Sequence, residues 1–277
     1  MQESMRRRLE NITDLYIDID HVINHYDELF ARQFSVETAK SFVELHPYLT
    51  ARFDIDELIE LAICSYQKTG RTTALFAEKF GIDEMELYQH HHDTLCEPGA
   101  FIEQQFQNGN ITIDPELRDL LIEVKSLGVS LRAFTNGTKK YAEIVLSKPM
   151  HDLIDLMDAA HGMDSVPNIY MFDKRHGSFW NDILIKDGLA KQFKANKGMG
   201  IEDFDHSHVA VIDDTHRNHR APKYIFNMTT ILQRNNDNYQ GPSWTHDIVS
   251  DFKDALRAIV KAKTTYQSTS HLRLVNG

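Results

Sequence analysis

The chain has 277 residues, enough for one large α/β domain or for a core domain that carries a smaller inserted one. Its formal net charge of −11 argues against a general affinity for nucleic-acid backbone or anionic membrane, while a hydrophobic fraction of 42% is that of an ordinary globular protein. Two cysteines, Cys64 and Cys96, form neither a disulfide framework nor a zinc-type spacing, so a reducing, cytoplasmic setting is expected.

The opening "MQESMRRRLENITD" holds Arg6, Arg7 and Arg8 with no apolar stretch after them, which predicts a solvated arm rather than a secretory signal. No window approaches the roughly 20 apolar residues that a bilayer span needs. A strand is predicted from Leu15 to Asp20. From 25 to 106 the apolar residues recur at three- and four-residue spacing, and Gly70 and Gly81 each stand just past a helical run, so this stretch reads as helices without a strand. "NGNITIDP" breaks the pattern. In "DPELRDLLIEVKSLG", Asp114 suits a cap, Pro115 the first turn and Gly128 the stop.

The texture then changes. "VSLRAFTNG" reads as a strand, "TKKYAEIVLSK" as a helix, "HVAVIDD" as a strand and "KYIFNMTTILQ" as another. Between them, "IYMFDK" and "SFWNDILI" on either side of "RHG" suggest a hairpin. "DIVSDFKDALRAIVKAK" is an amphipathic final helix, and the polar tail from Thr264 is expected to be mobile. Strands alternating with helices predict an α/β fold with a doubly wound, mainly parallel sheet. The first strand belongs to that sheet, so the expected organisation is a core of 1–24 plus 107–277 interrupted by a helical cap of 25–106.

Three apolar strands end in polar groups: "YIDID", "LRAFTN" and "VAVIDD". In doubly wound sheets ligands bind beyond the carboxyl ends of the strands. Were these strands neighbours, Asp18, Asp20, Thr135, Asn136, Asp213 and Asp214 would meet in one cleft. Four carboxylates so placed repel unless a cation lies between them. A hard divalent ion with oxygen ligands, Mg²⁺ first among them, meets that need and would also bind a phosphate.

Asp18-Ile19-Asp20, "FTNG" and "VIDDTHRN" resemble motifs one, two and four of the haloacid-dehalogenase-like (HAD) phosphohydrolases, in order and separation. "YQKTGRTTALFAEKFGIDEMELYQHHHD" and "DPELRDLLIEVKSLGVSLRAFTNG" further resemble the pyrimidine 5′-nucleotidase (SDT-type) branch. The resemblance implies a Mg²⁺-dependent hydrolase of a small phosphorylated substrate, nucleotide-like in that branch. It makes Asp18 the nucleophile and a metal ligand. Asp20 becomes general acid and then base, with its backbone carbonyl on the metal. Thr135 and the backbone N–H groups of Asn136 and Gly137 would bind phosphoryl oxygens, and Asp213 and Asp214 would complete the metal site.

The family also has a lysine that neutralises the nucleophile and the phosphate, usually in Lys-Pro at a helix start. Lys148-Pro149 comes too early for that. Lys186, opening "KDGLAKQF" at close to the usual distance before Asp213, is the expected catalytic and substrate-binding lysine; Lys174 in "FDKRHGSF" and Lys191 follow. His21 and Val22 depart from the branch's asparagine and small residue. Two alternatives stay open: a phosphate-binding protein without turnover, and a haloacid dehalogenase, against which Asp20, Asp213 and Asp214 count. His90, His91 and His92 cannot share one ion, because successive helical residues point about 100° apart. They are expected on a solvated or partly packed helix, with His216 and His219 on loop surface and Met85, Phe76 and Phe80 in the cap core.

Overall fold

The computed structural model describes residues 3–26, 28–50, 52–147, 152–166, 174–190, 205–234 and 245–275. The chain starts with α1 (Glu3–Asn11), whose Met5 and Leu9 are buried. The segment expected as a solvated arm is therefore a packed helix, with Arg6 on Glu10 and Arg7 on Glu3 one turn away on its outer side and Arg8 half-buried. Then come β1 (Asp14–Asp18), a turn and β2 (Asn24–Tyr26). Helices follow: α2 (Glu28–Leu45), α3 (Pro47–Thr50), α4 (Ile55–Thr69), α5 (Ala74–Phe80), α6 (Glu84–Leu95) and α7 (Phe101–Gln107).

Asp54 and Glu57 form a capping box ahead of α4. Gly70 and Gly81 end α4 and α5 in left-handed geometry, with φ of 77° and 66°, where a side chain would be strained. The helices share a local core in which Ala39, Phe42, Leu58, Ala62, Phe76 and Leu87 are buried, with Phe80 packed at its edge. β3 (Ile111–Ile113) pairs antiparallel with β2, Tyr26 opposite Ile111. The stretch 25–106 is expected to hold no strand, yet β2 reaches into it; three residues are too few for alternation to register in a sequence.

The rest is α8 (Leu117–Ser126), β4 (Ser130–Phe134), α9 (Lys139–Leu146), β5 (Ala159–His161), α10 (Gly177–Lys186), β6 (Val209–Asp213), α11 (Arg220–Phe226), β7 (Thr229–Gln233), β8 (Asp247–Val249) and α12 (Phe252–Val275). Three expectations need correction here. "SFWNDILI" is helical, because Phe179, Trp180, Ile183 and Leu184 fall on one buried side; most of "IYMFDK" lies outside the described residues. "KYIFNMTTILQ" is split, as Asn227 turns left-handed (φ 51°) between α11 and β7. The final helix begins at Phe252, after strand β8, and continues past Thr264 to Val275.

The main sheet has the order β5-β4-β1-β6-β7-β8, with every neighbouring pair parallel. β1, β6 and β7 are buried at every residue, as central parallel strands covered on both faces must be. Alternation divides their side chains between two layers. Leu15, Ile17, Leu131, Ala133, Ala210 and Ile212 join a core that includes Leu121, Val145 and Leu256 of α8, α9 and α12. Tyr16, Phe134, Val209 and Val211 face the other way, onto Trp180, Ile183 and Phe226 of α10 and α11. Asp18 and Asp213 share the parity of this second layer. Among the described residues no helix is long and apolar enough to cross a membrane.

Candidate active site

Register places the polar strand ends together. Asp18 pairs with Phe134 of β4, and Ile17 pairs with Ile212 of β6, so Asp213 stands level with Asp18. Asp18, Asp213 and Asp214 each offer an oxygen within 4.8 Å of the others, and no other such group of His, Cys, Asp or Glu occurs among the described residues. Burial first, and then Asp213, push the Asp18 carboxyl well above the usual carboxylate range. The same two causes push Asp214 up to about 7. Asp213 is held by the Thr215 N–H at 2.7 Å and by Asn218 Nδ2 at 2.9 and 3.0 Å.

Lys174 supplies the buried positive charge. Its Nζ lies 2.6 Å from Asp18 Oδ1 and 3.3 Å from Asp213 Oδ2, and 4.4 Å from the centroid of the Phe134 ring. Burial alone would lower a lysine's proton affinity, but the two carboxylates outweigh it and raise it above the ordinary value. Trp180 Nε1 of α10 donates to the Lys174 carbonyl at 2.7 Å and so fixes the backbone that carries the lysine. Lys186, the expected lysine, is instead at the far end of α10, where its Nζ donates to the Ser165 carbonyl at 3.2 Å. Lys191 lies outside the described residues.

Asp20, one turn beyond the strand, points its carboxylate elsewhere. Thr135 Oγ1 donates to Oδ2 at 2.8 Å, and Tyr141 Oη donates to Oδ1 at 2.7 Å. The Thr135 hydroxyl in turn accepts the Gly137 N–H at 2.9 Å. Thr135 is thus engaged with Asp20. Burial first, and then Asp20, raise the Tyr141 phenol well above its ordinary value, so it stays a donor. A hydrogen bond to a charged group is worth about 1.5–3 kcal/mol. For a reaction that uses the Asp20 carboxylate, Tyr141→Phe is therefore expected to lower kcat roughly 10- to 100-fold, with little change in KM; equal kcat in steady-state assays would refute this orienting role.

The cavity over these groups measures about 130 Å³ and is lined by Asp18, Asp20, Lys174 and Asp214 from the core, and by Tyr26, Phe34, Tyr66 and Arg71 from the helical block. Tyr88 of α6 donates to the Asn136 carbonyl at 2.6 Å and ties the two together. His21 lines the same cavity in a left-handed conformation (φ 61°), its carbonyl taking Gln233 Nε2 at 2.9 Å and its ring 4.0 Å from that of Tyr26. Val22 is core. His219, expected on loop surface, is fully buried, and burial drives its imidazole down to about 4. His90 meets Glu44, His91 sits between Thr38 and Ser41, and His92 packs on Tyr88, three different directions.

A parallel sheet in this order, with carboxylates at the tips of its central strands, has the HAD-like Rossmannoid α/β fold. The chain is similar in fold to CbbY from Rhodobacter sphaeroides, solved in complex with phosphate, at 15% identity over 90% of this chain and 99% of that one, with a TM-score of 0.58. A HAD phosphatase from Thermococcus onnurineus matches at 14% identity over 89% and 97%, with a TM-score of 0.53. The L-2-haloacid dehalogenase RSc1362 matches at 11% over 90% and 98%, with a TM-score of 0.52. No family model and no curated protein matches the sequence.

Proposed function

We propose that the protein is a phosphomonoester hydrolase working through an aspartyl-phosphate on Asp18. The observation that carries this reading is the buried lysine bridging two strand-tip carboxylates, Lys174 on Asp18 and Asp213. Asp18 attacks phosphorus, the bond from phosphorus to the leaving oxygen breaks, and Asp20 gives its proton to the departing alkoxide. Asp20 then takes a proton from water, which attacks phosphorus and releases inorganic phosphate and the Asp18 carboxylate. Lys174 holds Asp18 in place and balances the charge that the phosphoryl group brings. Asn136 and Gly137 line the cavity, and the resemblance gives their N–H groups to phosphoryl oxygens.

The acidic trio fits a divalent cation: three clustered oxygens, two of whose carboxyls are driven toward neutrality when only Lys174 offsets them. Asp18, Asp213 and Asp214 would hold Mg²⁺, with the Asp20 carbonyl by resemblance, and the ion would neutralise charge on the transferring phosphoryl group. Residues 25–106 act as the cap that closes over the leaving group, and Tyr88 is its contact with the loop after β4. On the SDT-type resemblance the substrate is a nucleoside 5′-monophosphate, a pyrimidine one first. Two unpaired cysteines, Cys64 exposed and Cys96 buried, support a cytoplasmic setting.

Phosphate release from a panel of nucleotides and sugar phosphates tests the reading. Chelation with EDTA should abolish release and Mg²⁺ restore it, while 2-chloroalkanoates yield no chloride. Mg²⁺ should also raise the unfolding temperature more at pH 8 than at pH 6. Below about 7 Asp214 carries a proton that the ion must displace, and above it the bare carboxylates repel. Full turnover in EDTA would sink the metal-dependent mechanism.

A further inference from the structure

A second cavity of about 690 Å³ opens from the first, and His21, Tyr66, Asp214 and Asn218 line both. Its size suits a small molecule. Its charge is the reverse of the protein's. In a chain of net charge −11, Lys68, Arg175, Arg217 and Arg234 line this space together with His216, and Asp214 is the only carboxylate among the described lining residues. These cations come from separate places: the last turn of α4, the turn that carries Lys174, the loop after β6, and the end of β7. No stretch of basic sequence accounts for them.

They also lie close to one another. After burial, Arg71 and Arg217 are what disfavour charge on Arg175, and Arg234 and Arg217 do the same for His216. Like charges gathered in one cavity cost stability unless an anion offsets them. Among the described residues no carboxylate forms an ion pair with Lys68 or Arg217.

We propose that this outer cavity binds a second anionic group, so that the substrate is a phosphomonoester whose leaving group carries a phosphate or carboxylate at its far end. The inference rests on the hydrolase reading for the scissile phosphate and, in place of an unsubstituted nucleoside, assigns a leaving group that bears a second anion. The scissile phosphoryl group sits over Asp18, and the distal anion meets Arg217 and Lys68, with Arg175 and Arg234 lining the same space; the guanidinium fork of Arg217 suits a dianionic phosphate better than a carboxylate.

Matched substrates test it with the purified, Mg²⁺-loaded protein: a sugar monophosphate, the same sugar as a bisphosphate, and a phosphorylated sugar acid. The bisphosphate should show at least tenfold higher kcat/KM than the monophosphate, with the sugar acid between, and the advantage should shrink as salt rises. Arg217→Gln and Lys68→Gln, both at exposed positions, should each cut that ratio severalfold. A bisphosphate no better than the monophosphate, or variants that leave the ratio unchanged, would overturn the subsite. Calorimetry with the Asp18→Asn protein separates this from the chemistry. Tenfold tighter binding of the bisphosphate supports the subsite even where the wild type turns over neither compound, a result that would count against the hydrolase alone. Equal affinities overturn the subsite.

Discussion

On the proposed mechanism, Asp18→Asn should abolish turnover, lowering kcat by at least about 10⁴-fold, the scale of losing a nucleophile. The same substitution should not lower the unfolding temperature. Asp18 is buried beside Asp213, and its ionised form is disfavoured there, so an amide of the same shape relieves repulsion. Lys174 keeps Asp213 as a partner. The expected pair of results is thus an inactive protein at least as stable as the parent, measured by phosphate release and thermal unfolding. Substantial activity in the variant would remove Asp18 as the attacking group, and with it the covalent mechanism.

The second large effect separates two lysines. Lys174→Gln strips the cation from two buried carboxylates and should lower kcat/KM about 10²- to 10³-fold, the scale of losing one group that stabilises charge in the transition state. Breaking a buried pair from one side costs about 3–5 kcal/mol, reduced here because Asp18 takes up a proton readily. Mg²⁺ should restore part of the lost stability. Lys186→Gln removes only a bond to the Ser165 carbonyl near the surface, and should change activity less than about twofold and stability by less than about 0.5 kcal/mol. The reverse ranking would return the role to Lys186.

Asp18, Thr135 and Asp213 were legible in the sequence because each ends an apolar strand, and parallel register brings such ends to one edge. Distance along the chain from Asp213 favours Lys186 over Lys174. That distance depends on how much chain separates α10 from β6, whereas the contact depends on which layer the side chain faces. Tyr141 and Tyr88 carry no signal of their own, since an aromatic at helical spacing reads as core whether or not its hydroxyl meets a carboxylate or a carbonyl. The same ambiguity hid α10. A run of four to eight apolar residues suits a buried strand or a buried helix equally, and only Phe179, Trp180, Ile183 and Leu184 sharing a side decides it. His219 poses a related problem: a histidine after a strand tip reads as loop surface, whereas here it is fully buried in the turn that leads into α11.

The central position of β1 has a consequence for how the molecule is made. Asp14 pairs with Ser130 on one side and Val209 on the other, so the first strand to be synthesised waits for partners far downstream. The helices between can assemble on contacts that span only Ala39 to Leu87, well before the sheet exists. Chain entropy makes such distant pairings slow to form. Asp18 can meet Asp213 only once β6 lies beside β1, so a nascent chain that has not yet reached residue 213 lacks the acidic trio however well its helices have packed.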